Sequence, residues 1–390
     1  MQTLHLKPKR HVRIAAGHLW AFAGEITEKI NDFKPGDPVV LCEARGRMLG
    51  RGYVNPHSLI AVRLLTRGEE AWDETFFHCR IASALNYREA VCAGWEARRL
   101  IFAESDGLPG LIVDQYDDHL VVQSLTAGIE RRLDEITAAL VELIKPKSIY
   151  LRGDSAYRSL EGLPLGSRAL YGDPPSEVCF KENGAAYTAH LQEGQKTGFY
   201  LDQRLNRTML QSICGGKRVL DLFSYTGAWG IRALLEDARE AVMVDSSKRA
   251  GEWGIEDARL NSIGKGSLFV NADTGEFLDE CITKDDKFDV VVLDPPGLIA
   301  SRKQMAAGIS VYKALHQKVF KVVGAGGYLV SCSCSHHLQR DQHLAIIGEA
   351  ASKSGRRIRL VRSGGHPPDH PVLPGHPETE YLKCWLLQCD

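Results

Sequence analysis

Residues 218–227 read Arg-Val-Leu-Asp-Leu-Phe-Ser-Tyr-Thr-Gly, and this stretch decides the fold. A short apolar run ends on Asp221, and a small polar turn leads to Gly227. The pattern becomes helical over 228–236, and a second apolar run then ends on Asp245. Strand, loop, helix and strand make the first unit of a parallel α/β sheet. Ligands of such sheets sit outside the carboxyl ends of the strands, so Asp221, the turn and Gly227 are expected to line a crevice. Gly227, lacking a Cβ, would let a ligand approach the backbone closely. Asp245 follows 24 residues after Asp221, where a carboxylate accepts both hydroxyls of a ribose. A nucleoside-bearing cofactor is implied.

A plain βαβ core turn would give the same reading from one turn alone. Two later apolar runs strengthen the functional reading: 267–270 precedes Asn271-Ala-Asp273, and 289–293 precedes Asp294-Pro-Pro296. Four successive strands would then each end on an Asp. The Gly-x-Gly-x-x-Gly fingerprint of NAD and FAD sites is absent, so an adenosine cofactor without a pyrophosphate fits better. S-adenosylmethionine (SAM) is the common one.

The length of 390 residues allows two or three domains, and 44% hydrophobic with 25% charged residues is ordinary for a globular protein. The net charge of -1 conceals a gradient. Residues 1–67 carry 11 Lys/Arg against 5 Asp/Glu, and residues 218–330 carry 14 against 16. A basic amino-terminal module beside a mildly acidic one suggests that the first handles a polyanion. A solvated basic face is the alternative. No apolar run reaches the roughly 18 residues of a membrane span, and the basic start does not resemble a secretory signal, so a cytoplasmic protein without a membrane partner is expected. Ten Cys without Cys-x-x-Cys spacing do not read as disulfides or a metal site, and most are expected to be buried thiols.

Residues 1–70 string short β-like runs at 21–26, 38–41, 48–53 and 59–65, which predicts a small β-barrel. Lys7, Lys9, Arg10, Arg13, Arg45, Arg47 and Arg51 fall mostly in its connections, with His11 and His18, as candidate RNA phosphate contacts. Residues 71–174 read as a compact α+β middle domain, a spacer or substrate platform without a catalytic constellation. Residues 175–390 form the third domain. It opens with a hairpin around Asn183-Gly184, a favoured type I′ turn. The stretch 194–207 follows, with Asp202 as expected N-cap of a helix to 213. Arg204 and Arg207, three apart, share a face of it. They are either a solvated helix start or part of a lid over the crevice.

Two places carry chemistry. In Asp294-Pro-Pro296-Gly297 the prolines stiffen the loop and aim Asp294 at a fixed point, suited to the amino edge of a planar base. An aromatic residue after the prolines would suggest methylation of a base nitrogen; here the position is Gly297. The second place is Cys332 with Cys334 near the end of the run 326–335. A thiolate that attacks carbon 6 of a pyrimidine makes carbon 5 able to take a methyl group. Two buried structural thiols are the competing reading. Strand side chains alternate, so both Cys face one way, and Cys334 lies one pleat nearer the carboxyl end.

These motifs carry a resemblance over essentially the whole chain. Asp221-Leu-Phe-Ser-Tyr-Thr-Gly227, Asp294-Pro-Pro296, Ser333-Cys-Ser335, Gly194-Gln-Lys-Thr-Gly-Phe-Tyr-Leu-Asp-Gln-Arg204 and Asp369-His-Pro371 resemble the RlmI-type family of SAM-dependent large-subunit rRNA (cytosine-C5) methyltransferases. Gly17-His-Leu-Trp20 and Gly50-Arg-Gly-Tyr53 resemble that family's PUA RNA-binding domain. The resemblance implies a Rossmann-like class I SAM-dependent methyltransferase domain preceded by a PUA-like β-barrel and an α+β middle domain. It implies that ribosomal RNA is the partner and that Cys334 attacks carbon 6, leaving Cys332 as a supporting thiol. Asp294 would hold the cytosine edge and Asp245 the ribose. Asp273 would hold the adenine amino group, and the turn through Asp221, Phe223, Ser224, Tyr225 and Gly227 the methionine part. Gln203, Arg204 and Asp294 complete the expected cofactor set. Many RNA cytosine-C5 enzymes carry a second Cys after the first Pro of the aspartate loop; this chain has Pro296 there. Sequence does not choose between monomer and homodimer. The rivals are a base N-methyltransferase working through the Asp-Pro-Pro loop and a non-catalytic RNA-binding assembly factor.

Overall fold

A computed structural model describes residues 1–390. The chain forms two compact units: residues 1–180, 189–201 and 368–379 make the first, and 181–188, 202–367 and 380–390 the second. Three stretches of the expected 175–390 domain, 175–180, 189–201 and 368–379, therefore belong to the first unit.

The first unit holds two five-stranded sheets. In one, Gln2–His5 pairs parallel with Asp37–Cys42, and Met48–Val54, Val62–Thr66 and Trp20–Ala21 follow antiparallel. Alternation puts Leu4, Val39, Leu41, Val62 and Leu64 into one core. Only the first residue of the predicted run 21–26 is strand: Phe22 N donates to the Glu25 carboxylate at 3.0 Å, and residues Ala23–Glu25 turn as a 3-10 helix. The second sheet carries the helices Glu74–Cys92 and Leu133–Ile144 over a core that includes Phe77, Ile81, Val113, Val122 and Ile136.

The later segments are held in this unit by buried polar contacts. Asp114 accepts two bonds from Arg99 at 2.8 Å and one from Thr197 at 2.6 Å, and Arg152 donates to the Gly194 carbonyl at 2.8 Å. A Cβ on Gly194 would lie 2.5 Å from the His190 carbonyl oxygen, so the glycine permits a close backbone approach. Asp369 accepts from the Arg99 amide at 2.9 Å, while its carbonyl takes a bond from Arg88 at 2.9 Å. Asp369-His-Pro371 and much of the stretch after Gly194 thus act here as anchors.

The second unit is built on seven strands: β1 (Arg218–Leu222), β2 (Glu240–Asp245), β3 (Ser267–Asn271), β4 (Phe288–Leu293), β5 (Val323–Ser333), β6 (Ile358–Gly364) and β7 (Lys383–Cys389). Their order is β3-β2-β1-β4-β5-β7-β6, with the first five parallel and β7 antiparallel to both neighbours. Five helices of eight residues or more complete it: α1 (Ala228–Leu235), α2 (Lys248–Leu260), α3 (Thr274–Thr283), α4 (Met305–Val322) and α5 (Arg340–Lys353). Strand β6 has a mostly exposed pattern, and Arg359 and Arg362 leave its apolar residues Ile358, Leu360 and Val361 out of regular alternation.

The expected helix from Asp202 to 213 is instead three short pieces, Leu201–Gln203, Arg204–Arg207 and Thr208–Ser212. Asp202 is not a cap: its carboxylate accepts from Tyr381 Oη at 2.6 Å. Arg204 and Arg207 do share a face, but neither is an exposed lid residue. Both are buried on Glu182, at 3.2 and 2.7 Å. Removing one partner of a buried charge cluster costs about 3–5 kcal/mol, because the remaining charges stay desolvated. Glu182→Gln is expected to lower the unfolding free energy of the protein by about that amount, read by urea titration with tryptophan fluorescence.

Candidate active site

The loop after β1 is strained. Phe223, Tyr225 and Gly227 have φ of 60°, 50° and 73°; left-handed backbone at a non-glycine residue costs about 1–3 kcal/mol, and such residues cluster at functional sites. The loop is pinned from β2: Ser224 N donates to the Val244 carbonyl at 3.0 Å and Tyr225 N to Asp245 Oδ2 at 2.9 Å. Asp245 Oδ1 accepts from Ser247 N at 2.8 Å, so the carboxylate is oriented from both sides.

Gly227 has a different reason from the one expected. A Cβ there would lie 2.6 Å from Met243 Sδ and 2.7 Å from Phe269 Cε1. The space belongs to the sheet's own side chains, so the glycine serves the positive φ and the packing of α1.

Asp221 is fully buried, and Oδ2 accepts from Gly230 N at 3.0 Å. Burial foremost, with the charges of Asp294 and Asp245, raises its carboxyl well above the usual range. Asp221 Oδ1, Ser224 Oγ and Thr226 Oγ1 are buried without a protein partner. Buried polar atoms are nearly always paired, so this edge is suited to a ligand rich in donors. Asp273 is exposed, and Oδ1 caps α3 by accepting from Gly275 and Glu276 amides at 2.8 and 3.1 Å.

Beyond β4, Asp294 Oδ2 accepts from Gln203 Nε2 at 2.9 Å and Trp229 Nε1 at 3.1 Å. Gln203 thus joins the expected group and Arg204 does not, since it faces Glu182. Trp229 was missed; its signal was its place two residues after Gly227 at the start of α1. Cys334, half-buried, puts Sγ 3.9 Å from the Pro295 carbonyl oxygen, and a Cβ on Gly297 would lie 3.8 Å from Sγ. An aromatic side chain at 297 would start against this thiol.

The two cysteines differ sharply. Cys332 is fully buried, and burial together with Cys384 pushes its thiol well above its usual range. The flanking serines are structural: Tyr312 Oη bonds Ser333 Oγ at 2.8 Å and Ser335 Oγ at 3.1 Å, and Ser335 Oγ accepts from Ile299 N at 3.2 Å. A second missed residue is Lys383, buried on β7, whose ammonium donates to the Ser335 and Tyr381 carbonyls at 2.7 Å each. Burial lowers its pKa to about 8. Its signal was a lone lysine in an apolar strand.

In the first unit, Lys9, Arg10 and Arg45 are exposed without a side-chain partner. Lys7 donates to the Gly24 carbonyl at 2.8 Å, Arg13 pairs with Glu25 at 2.8 Å, and Arg47 pairs with Glu43 at 3.2 Å. His18 is fully buried and does not join the basic surface. It meets His376 and Glu378 in a group whose ligand atoms lie within 4.8 Å. Each imidazole Nδ1 accepts a backbone amide, from Trp20 at 3.1 Å and Leu19 at 3.3 Å. The Nε2 atoms therefore carry protons and offer no lone pair to a metal.

Residues 142–381 match the S-adenosylmethionine-dependent methyltransferase family and residues 4–67 the PUA-like domain. Ribosomal RNA large subunit methyltransferase I of Serratia proteamaculans (strain 568) is 34% identical over 385 residues, covering 97% of each chain. The protein of that name from Yersinia pseudotuberculosis serotype O:1b (strain IP 31758) is 33% identical over the same length and coverage. SMU.776, solved in complex with SAH, superposes over 100% of both chains with a TM-score of 0.88 at 21% identity, which supports the fold. No helix is long and apolar enough to cross a membrane. A PUA-like domain, a methyltransferase sheet and relatives alike from end to end place this chain in the family of SAM-dependent methyltransferases that the ribosomal RNA large subunit methyltransferase I proteins represent.

Proposed function

We propose that this protein methylates carbon 5 of a cytosine in ribosomal RNA through a covalent bond to Cys334. The observation that carries the reading is the contrast between the two cysteines. Cys334 is half-buried beside the Asp294-Pro-Pro loop, whereas Cys332 is sealed in the sheet. The names of the relatives supply the RNA class.

SAM supplies an electrophilic methyl group when bound. In this reading Asp245, oriented by the Tyr225 and Ser247 amides, accepts the ribose hydroxyls. Asp221, Ser224 and Thr226 offer their buried oxygens to the methionine end, and Asp273 accepts from the adenine amino group through the oxygen that does not cap α3. Gln203 and Trp229 hold Asp294 so that it meets the cytosine edge. The Cys334 thiolate forms a bond to carbon 6, electron density moves to carbon 5, and carbon 5 takes the methyl group. A base takes the carbon 5 proton, the electron pair of that C–H bond re-forms the 5,6 double bond, and the carbon 6–sulfur bond breaks to return the thiolate. Lys9, Arg10 and Arg45 face RNA phosphates. The 1–70, 71–174 and 175–390 divisions stand in this reading as RNA-binding, platform and catalytic regions.

An RNA with 5-fluorocytidine at the target should form a SAM-dependent adduct with wild type and Cys332→Ala, and none with Cys334→Ala. Digestion of labelled RNA should release 5-methylcytidine; an N-methylated nucleoside without an adduct would instead favour chemistry at the Asp294 loop alone. Asp245→Ala should weaken SAM binding about tenfold or more in calorimetry, since a hydrogen bond to a charged group contributes about 1.5–3 kcal/mol. Replacing Lys9, Arg10 and Arg45 together by Ala should reduce the slope of log affinity against log salt by about two to three, at roughly 0.7–0.9 per phosphate contact. An unchanged slope would remove this surface from RNA binding.

A further inference from the structure

Lys383 has no role in the reaction described above, yet its placement is unusual. The side chain is 1% exposed, and the ammonium donates to two carbonyls, Ser335 and Tyr381, at 2.7 Å each. No carboxylate lies within ion-pair distance of it. A buried cation without a counter-charge is costly, and buried charges are as a rule paired. The antiparallel register explains how it arrives there. Ser333 of β5 faces Lys383 of β7, and the long stem carries the ammonium past the end of β5 to the carbonyl of the residue that follows Cys334. A lysine has three N–H donors, and two are used.

We propose that the Lys383 ammonium is the counter-charge of a Cys334 thiolate, a positioning residue that acts through the nucleophile. This rests on the reading of Cys334 given above. The ammonium is fixed on the carbonyl of the residue next to Cys334, and an anionic Cys334 would favour its charged form. In the step that creates the pair, the Sγ–H bond breaks, its proton leaves to solvent through the half-exposed side of Cys334, and Lys383 keeps all three of its protons. The electron pair left on sulfur then bonds to carbon 6 of the base.

The surrounding groups are few. Glu380 favours the ammonium and Arg340 opposes it. Tyr312, on α4, is itself disfavoured as an anion by burial and by Cys334, and His343, on α5, is held neutral by burial. Asp294 flanks the site from the loop after β4 and would oppose a thiolate. Of the side chains that change charge near neutral pH, His366 accepts the Tyr381 and Leu382 amides at 3.0 and 2.9 Å just before Lys383, His337 is half-buried, and His336, two residues beyond Cys334, is exposed. It serves as the control.

The test is the rate of iodoacetamide alkylation at Cys334 of the full-length protein, followed by peptide mass spectrometry from pH 5.5 to 9.5, with exposed Cys79 and Cys179 as internal references. In wild type, Cys334 should react with a midpoint below the roughly 8.5 of an ordinary thiol. Lys383→Met should slow its reaction about tenfold at pH 7 by moving the midpoint up about one unit. Lys383→Arg should recover most of the rate, and His336→Gln should leave it unchanged. SAM affinity measured on each variant reports whether the sheet edge is intact. A wild-type midpoint at or above that of Cys79 and Cys179 overturns the proposal without any variant. So does a folded Lys383→Met protein with the wild-type profile. A lowered midpoint that depends on Lys383, in a protein that forms no 5-fluorocytidine adduct, would retain the ion pair and reject Cys334 as nucleophile.

Discussion

The second unit depends on the level at which its parallel strands stop. Leu222 at the end of β1 pairs with Val244 of β2 and Leu293 of β4. The residues that follow these three are Phe223, Asp245 and Asp294, which therefore leave the sheet side by side. Strand β5 is in register with Leu293 at Ser331 and runs on to Ser333. That overhang carries Cys334 to the carbonyl of Pro295. Because side chains alternate along a strand, a one-residue slip of β5 would exchange the cysteine and serine faces. Tyr312, bonded to both Ser333 and Ser335, locks the face that is observed.

The same edge shows how local strain and long-range pairing are coupled. The loop 223–227 adopts left-handed backbone at two non-glycine residues, which a free peptide would avoid. Asp245, fixed by β2, holds the Tyr225 amide, and Val244 holds that of Ser224. Tertiary contacts thus impose a loop shape that local preference disfavours. The unpaired oxygens of Asp221, Ser224 and Thr226 belong to the same device, since a loop optimised only for stability would satisfy them.

Much of this was legible because it is periodic or local. Apolar runs that end on Asp located β1, β2, β3 and β4, and the favoured turn at Asn183-Gly184 located the hairpin Glu177–Glu182 with Ala185–His190. What escaped has a physical reason in each case. Strand β6 is exposed and arginine-rich, so it lacks the alternation that marks a half-buried strand. Arg204 and Arg207 read as a solvated face or a lid because their partner Glu182 lies more than twenty residues upstream, across a hairpin. Gly227 was assigned to a ligand because its neighbours Met243 and Phe269 come from strands that sequence cannot position in space. Trp229 and Lys383 were visible as residues, but their meaning lies in which loop they meet.

The route of the chain has a consequence of its own. Residues 189–201 and 368–379 belong to the first compact unit while the chain on either side of them builds the second, and buried bonds from Asp114, Arg152, Arg88 and Arg99 hold those two segments. A single cut between residues 180 and 181 would therefore leave one fragment without the strands' companions and the other with desolvated arginines and an aspartate short of partners. Neither piece is a modular cassette. The first unit is completed only by chain that the second unit interrupts twice, so its buried polar network closes only when residues 189–201 and 368–379 are both in place.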